Sequence, residues 1–157
     1  MQTLAEIKPS INTNRIDLGT MAPLAAPLIM YVETSGFCNL KCKFCPQYTD
    51  PDGLTKDNMS FELFEKLVVD MKRFPEKVEL LRYCGTGENL LNKNFPEMVQ
   101  LAKQAGVARR QELITNGLLL TPEIAKQIAP SLDRIIISLE GLNDQDYFDV
   151  AGMRVTK

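Results

Sequence analysis

Three cysteines crowd into one short stretch, Cys38, Cys42 and Cys45, with the spacing C-x-x-x-C-x-x-C. Cysteines this close on one loop can hold three corners of a metal centre, and soft thiolates favour iron–sulfur clusters, zinc or copper(I). In a four-iron cluster, three thiolates leave one iron open for a substrate or cofactor. A structural zinc site and a disulfide are the alternatives. The chain has no histidine, so a zinc site would need the remaining cysteine, Cys84, as its fourth ligand. Zinc knuckles use C-x-x-C pairs, which this spacing does not resemble. Cys84 otherwise reads as a small apolar residue at a strand end. The lack of histidine also excludes His-based triads, His metal ligands and His general bases.

The elements around these cysteines alternate. Residues 28–34 read as a buried strand. Ser60 can cap a helix running to Phe74, with Phe64, Leu67, Val68 and Met71 at i, i+3, i+4, i+7 and Pro75 as its stop. Residues 78–84 form a second strand. Asn94 can cap a second helix, with Met98, Val99, Leu101, Ala102 and Ala105 on its apolar side and Gly106 at its end. Residues 112–115 form a short third strand. Thr121 caps a third helix, with Pro122 in its first turn and Ile124, Ala125 and Ile128 facing inward. Residues 134–139 form a β-branched fourth strand, and a fourth helix starts near Asp144. Strands alternating with helices of this length imply βαβ units and a parallel sheet.

In such architectures ligands bind at the carboxyl ends of the strands. Here the first strand runs into the cysteine loop and the second into Cys84-Gly85-Thr86-Gly87-Glu88-Asn89. The third ends at Thr115-Asn116-Gly117 and the fourth at Ser138-Leu139-Glu140-Gly141. A parallel sheet brings all four to one face and points to one large site. Asn116-Gly117 reads mainly as a turn with φ > 0, with Asn116 as a second candidate ligand contact by its strand-end position.

Cys38-x-x-x-Cys42-x-Phe44-Cys45 resembles the signature of the radical S-adenosylmethionine (radical SAM) enzymes, which place an aromatic just before the third cysteine. The resemblance extends from residue 28 to the end. It implies that Cys38, Cys42 and Cys45 ligate a [4Fe–4S] cluster whose open iron chelates the amino and carboxylate groups of S-adenosylmethionine (SAM). It implies reductive cleavage of SAM to a 5′-deoxyadenosyl radical that abstracts a hydrogen atom from a substrate. Phe44 would pack by the adenine. Gly85-Thr86-Gly87-Glu88 resembles the family's Gly-Gly-Glu turn, which accepts hydrogen bonds from the SAM ammonium, with Asn89 in place of the usual proline. Ser138 and Glu140 stand where the family binds the ribose hydroxyls or carboxylate of SAM. The helix start at Met59-Ser60-Phe61-Glu62 and the stretch 141–152 resemble members with a SPASM or twitch extension. Their substrates are peptides, sugars or small metabolites. A reductant protein such as flavodoxin or ferredoxin is the implied partner, and the family class is oxidoreductase.

The 157 residues suit one domain, able to bury about 68–70% of its unfolded surface. Lys and Arg total 18 against 20 Asp and Glu, a net charge of -2, so the basic excess of a nucleic-acid binder is missing. No apolar run approaches the roughly 18–20 residues of a membrane span, and no signal-peptide pattern opens the chain. Clustered cysteines without such a signal imply a reducing, cytoplasmic setting. The expectation is an N-terminal extension over residues 1–27 and an α/β radical SAM core over 28–157. About four parallel βα units form only a partial (β/α) barrel, either the first portion of a longer protein or an open half-barrel. A non-catalytic iron–sulfur or SAM-binding fragment, a four-cysteine zinc module and a redox protein with a SAM-free cluster are the rival readings.

Overall fold

The computed structural model describes residues 17–154. The expected extension lies outside these residues up to position 16, as do positions 155–157 of the expected core. A single sheet holds four strands in the order β1-β2-β3-β4, all parallel: β1 (Ile29–Val32), β2 (Val78–Tyr83), β3 (Ala108–Thr115) and β4 (Arg134–Ile137). The helices are α1 (Pro46–Thr49), α2 (Phe61–Met71), α3 (Phe95–Ala105), α4 (Pro122–Ile128) and α5 (Asp144–Ala151). Sequential strands neighbour each other in one direction, so the sheet is an open segment of a (β/α) barrel.

The caps follow the sequence. The Ser60 and Thr121 side chains accept from the backbone N–H of Leu63 and Ile124, relieving unpaired donors of the first turn. Asn94 makes no such bond; its own N–H donates to Asn92 Oδ1 at 3.0 Å instead. Gly106 ends α3 at φ 63, the left-handed position where glycine carries no Cβ penalty. α5 starts at Asp144 as expected, with the Asn143 side chain as its cap.

The core lies between α2, α3 and α4 and one face of the sheet. Phe64, Val68, Met98, Val99 and Ile128 pack on Val32, Leu81, Tyr83 and Leu113, all buried. Tyr83 meets Phe95 edge-on at 5.2 Å and donates to Gln111 Oε1 at 2.6 Å. All four strands differ from their sequence boundaries; β1, expected over 28–34, and β2, expected over 78–84, are shorter at their ends. β3 begins at Ala108, four positions early, because Ala108 to Gln111 pair in register with β2 even though the segment is charged rather than apolar. β4 stops at Ile137: β3 ends at Thr115, whose carbonyl accepts from Ser138 N, so Leu139 has no ladder partner. Both β1 and β4 are edge strands.

Residues 21–28 run as coil after a 3-10 turn (Leu18–Thr20). They share a cavity with Glu79 and Arg110 at the amino ends of β2 and β3, opposite to the cysteines.

Candidate cluster and cofactor site

The cysteine loop sits on the carboxyl edge of the sheet because backbone bonds hold it from two sides. Glu88 N donates to Phe37 O at 2.7 Å, joining the loop to the β2 turn. Lys41 N and Lys43 N donate to Ala151 O and Val150 O, joining it to the last turn of α5. Leu40 is buried against Tyr147 and Ala151, with Cys38 and Cys42 beside them. Pro46 starts α1 directly after Cys45, and Cys45 N donates to Cys42 O, turning the third cysteine back toward the second.

All four thiols are free and partly buried. Leu40 N lies 3.5 Å from Cys38 Sγ, and Cys45 Sγ lies 4.0 Å from Thr86 O. Burial pushes the Cys38 thiol up; Leu40 N–H opposes this, and charge on Glu88 and Cys45 adds to it. Cys42 is pushed up to about 11 by burial first and then by Glu140, Cys38 and Cys45. Among the described residues no three Cys, Asp or Glu groups stand close enough to hold a single metal ion. Cys84 does not complete a mononuclear site with them, as a zinc module would require at Zn–S distances near 2.3 Å. Three soft thiolate donors on one loop suit an iron–sulfur cluster, with each cysteine on a different iron.

The β2 turn is built against the loop. Gly85, Gly87 and Glu88 all line it, but their immediate partners belong to the chain. A Cβ on Gly87 would lie 1.9 Å from Ser35 O and 2.8 Å from Phe37 O, so glycine here admits the loop's own backbone. Its φ is not in the left-handed region; Gly117, at φ 78, is the strand-end glycine that needs it. A Cβ on Gly85 would strike the Glu33 side chain. The Glu88 carboxylate is buried and accepts from Leu90 N, Thr115 Oγ1 and Asn116 N at 3.1, 2.9 and 2.8 Å, which fastens β2 to β3. Ser138 and Glu140 stand half-buried past β4, with Glu140 close enough to raise the Cys42 thiol. Phe44 is 67% exposed.

Several contacts of this site are not visible in the sequence. Glu33 Oε1 accepts from Gly87 N at 2.6 Å and Thr86 Oγ1 at 2.9 Å, pinning the glycine turn. Asn116 Nδ2 donates to Asn39 Oδ1 at 2.7 Å, tying β3 to the cysteine loop. Buried Asn89 accepts from both Thr34 N and Thr34 Oγ1 at 2.8 Å, while its Nδ2 has no partner. Asn92 Nδ2 donates to Thr34 O and Met59 O at 2.7 and 2.9 Å. The signal the sequence held was that Glu33, Thr34 and Asn116 directly follow strands.

A model of the radical SAM superfamily matches residues 32–155, spanning the cysteine loop and all four strand ends. The chain belongs to the radical SAM superfamily. It is 33% identical over 116 residues to the tungsten-containing aldehyde ferredoxin oxidoreductase cofactor-modifying protein of Pyrococcus furiosus, covering 72% of this chain and 31% of that protein. It is 32% identical over 123 residues to a probable GTP 3′,8-cyclase of Methanococcus vannielii, covering 76% and 39%. The chain thus spans roughly a third of these relatives' length. Among solved structures, SuiB of Streptococcus suis bound to S-adenosylmethionine superposes with a TM-score of 0.67 at 20% identity, over 87% of this chain and 31% of that one. BtrN in complex with AdoMet and 2-DOIA gives 0.62 at 22%, over 71% and 45%. These superpositions establish the radical SAM fold of the four-stranded partial barrel. Among the described residues no helix is long and apolar enough to cross a membrane.

Proposed function

We propose that this chain carries the cluster- and SAM-binding core of a radical SAM enzyme. Cys38, Cys42 and Cys45 would hold a [4Fe–4S] cluster, with the fourth iron left to SAM. The observation that carries this reading is the set of three free, half-buried thiols on one loop at the carboxyl ends of four parallel strands. When bound and reduced, the cluster and SAM together supply a 5′-deoxyadenosyl radical for hydrogen-atom abstraction. The chain's part is to bind, orient and shield. Gly85, Gly87 and Glu88 would shape the turn facing SAM, Glu33 holds that turn, and Ser138 and Glu140 would meet its polar groups from β4. Phe44 would cover the adenine side.

The electron would come from a reductant protein such as flavodoxin or ferredoxin. The substrate would be a peptide, sugar or small metabolite, as in members with a SPASM or twitch extension, and the setting cytoplasmic. Residues 1–27 would form an extension to a core beginning at residue 28. The test is iron content after anaerobic reconstitution. The parent chain should hold about four irons, and each of Cys38→Ala, Cys42→Ala and Cys45→Ala should lose them. Cys84→Ala should keep them; equal loss in Cys84→Ala would replace the proposal with a four-cysteine site.

A further inference from the structure

The face of the sheet turned away from α2, α3 and α4 carries a row of charge. Tyr31, Arg82, Glu112 and Arg134 are register partners across all four strands. Alternation along each strand puts them opposite the core residues Val32, Tyr83, Leu113 and Ile135. Arg82 Nε and Nη2 donate to Glu112 Oε2 at 3.2 and 2.7 Å, and Arg82 Nη1 donates to Tyr31 Oη at 3.3 Å. Arg134 Nε lies 3.7 Å from Glu112 Oε1. The Glu112 side chain is 4% exposed, against 22% for Arg82 and 45% for Arg134.

Faces of parallel sheets are ordinarily covered by apolar residues. A buried ion pair is a weak source of stability, often no better than apolar residues of the same size. Two guanidiniums face one carboxylate here, so the row is net positive. Glu112 pairs closely with Arg82 and only loosely with Arg134, which keeps guanidinium N–H groups for another acceptor. Tyr31 accepts from Arg82 and so keeps its own O–H to donate. Planar guanidinium donors select carboxylate and phosphate oxygens.

The row also lies at a defined depth. The next inward-facing row toward the carboxyl edge is Glu33, Cys84, Ile114 and Ile136. The charged row is two residues below it, roughly 6.6 Å at the rise of a strand. Glu33 is engaged with the glycine turn, and Arg110, one row lower, lies 3.8 Å from Glu79.

We propose that the row Tyr31–Arg82–Glu112–Arg134 binds the carboxylate or phosphate end of an elongated substrate whose other end reaches the strand-end site. This rests on the function proposed above, and it narrows the substrate to molecules that carry an oxyanion well removed from the reacting carbon.

The probes are succinate and inorganic phosphate, titrated into dilute protein without iron or SAM. Binding is followed by the proton linewidth of succinate and the phosphorus linewidth of phosphate. At least one should bind the parent chain, and which of them does assigns the oxyanion as carboxylate, phosphate or either. Arg134→Gln should weaken binding roughly tenfold, about 1.4 kcal/mol, and Arg134→Lys should recover part of it. Glu112→Gln should tighten binding, because a competing negative charge is gone while the amide oxygen still accepts from Arg82. A purely structural row would show no such tightening. Arg109→Gln, which removes a charge paired with Glu79 outside the row, should change nothing. The proposal is overturned if neither anion binds, if Arg134→Gln binds like the parent, or if Arg109→Gln weakens binding equally. Iron loading plays no part in this titration, so its failure would leave the cluster reading intact and the reverse also holds.

Discussion

Gly87→Ala adds one carbon at the joint between the glycine turn and the cysteine loop. That carbon would sit 1.9 Å from Ser35 O and 2.8 Å from Phe37 O, both backbone atoms. Real Cβ atoms stay beyond 3.0 Å, so turn and loop must separate by about 1.1 Å. Two bonds span this joint, Gly87 N to Glu33 Oε1 and Glu88 N to Phe37 O, at 2.6 and 2.7 Å. Their loss costs about 1 kcal/mol each, and overpacking adds about 1–3 kcal/mol. The expected destabilisation is near 3–5 kcal/mol, a large part of the roughly 5–15 kcal/mol that holds a domain of this kind. Because the displaced loop carries Cys38, iron retention should fall with stability. Urea denaturation and iron analysis on the same preparation read both. A Gly87→Ala chain with unchanged midpoint and full iron would refute the close-packing account of this glycine.

Asn92→Ala should lower the unfolding free energy by about 2–4 kcal/mol, since Thr34 O and Met59 O lose a buried donor; a urea midpoint within error of the parent would contradict this. The β4 edge should make the chain associate, because Ile137, Leu139 and Leu142 are 55%, 70% and 91% exposed beside an unpaired strand. Light scattering that stays monomeric at high concentration would count against that reading of the edge.

Where local pattern and capping agree, sequence and structure agree. The i, i+3, i+4 apolar stripe of α2 packs as its spacing requires, and Ser60 and Thr121 cap as their chemistry requires. The cysteine loop and the converging strand ends were legible because parallel topology fixes which ends meet. What stayed hidden depends on register between distant segments. Arg82, Glu112 and Arg134 look like ordinary surface charges until the sheet aligns them. Glu33, at the end of β1, shows its role only once Gly87 is brought against it, 54 positions later. Gly87 reads in the sequence only as part of a SAM-facing turn, and its contact with the loop's own carbonyls shows only in the fold. The early start of β3 was hidden because Arg109 and Arg110 break the apolar run, while pairing with β2 and ion pairs to Glu79 sustain the strand.

The central claim is that three cysteines hold a cluster with one iron left for SAM. The most direct measurement is the paramagnetic resonance spectrum of the anaerobically reconstituted, reduced chain, recorded before and after adding SAM. Coordination of SAM changes the ligands of one iron, and first-shell changes tune a cluster's electronic state. The account predicts a clear change in the spectrum with SAM, reduced in Glu140→Ala at unchanged iron content. A spectrum from the cluster-loaded chain that SAM leaves unaltered would contradict it.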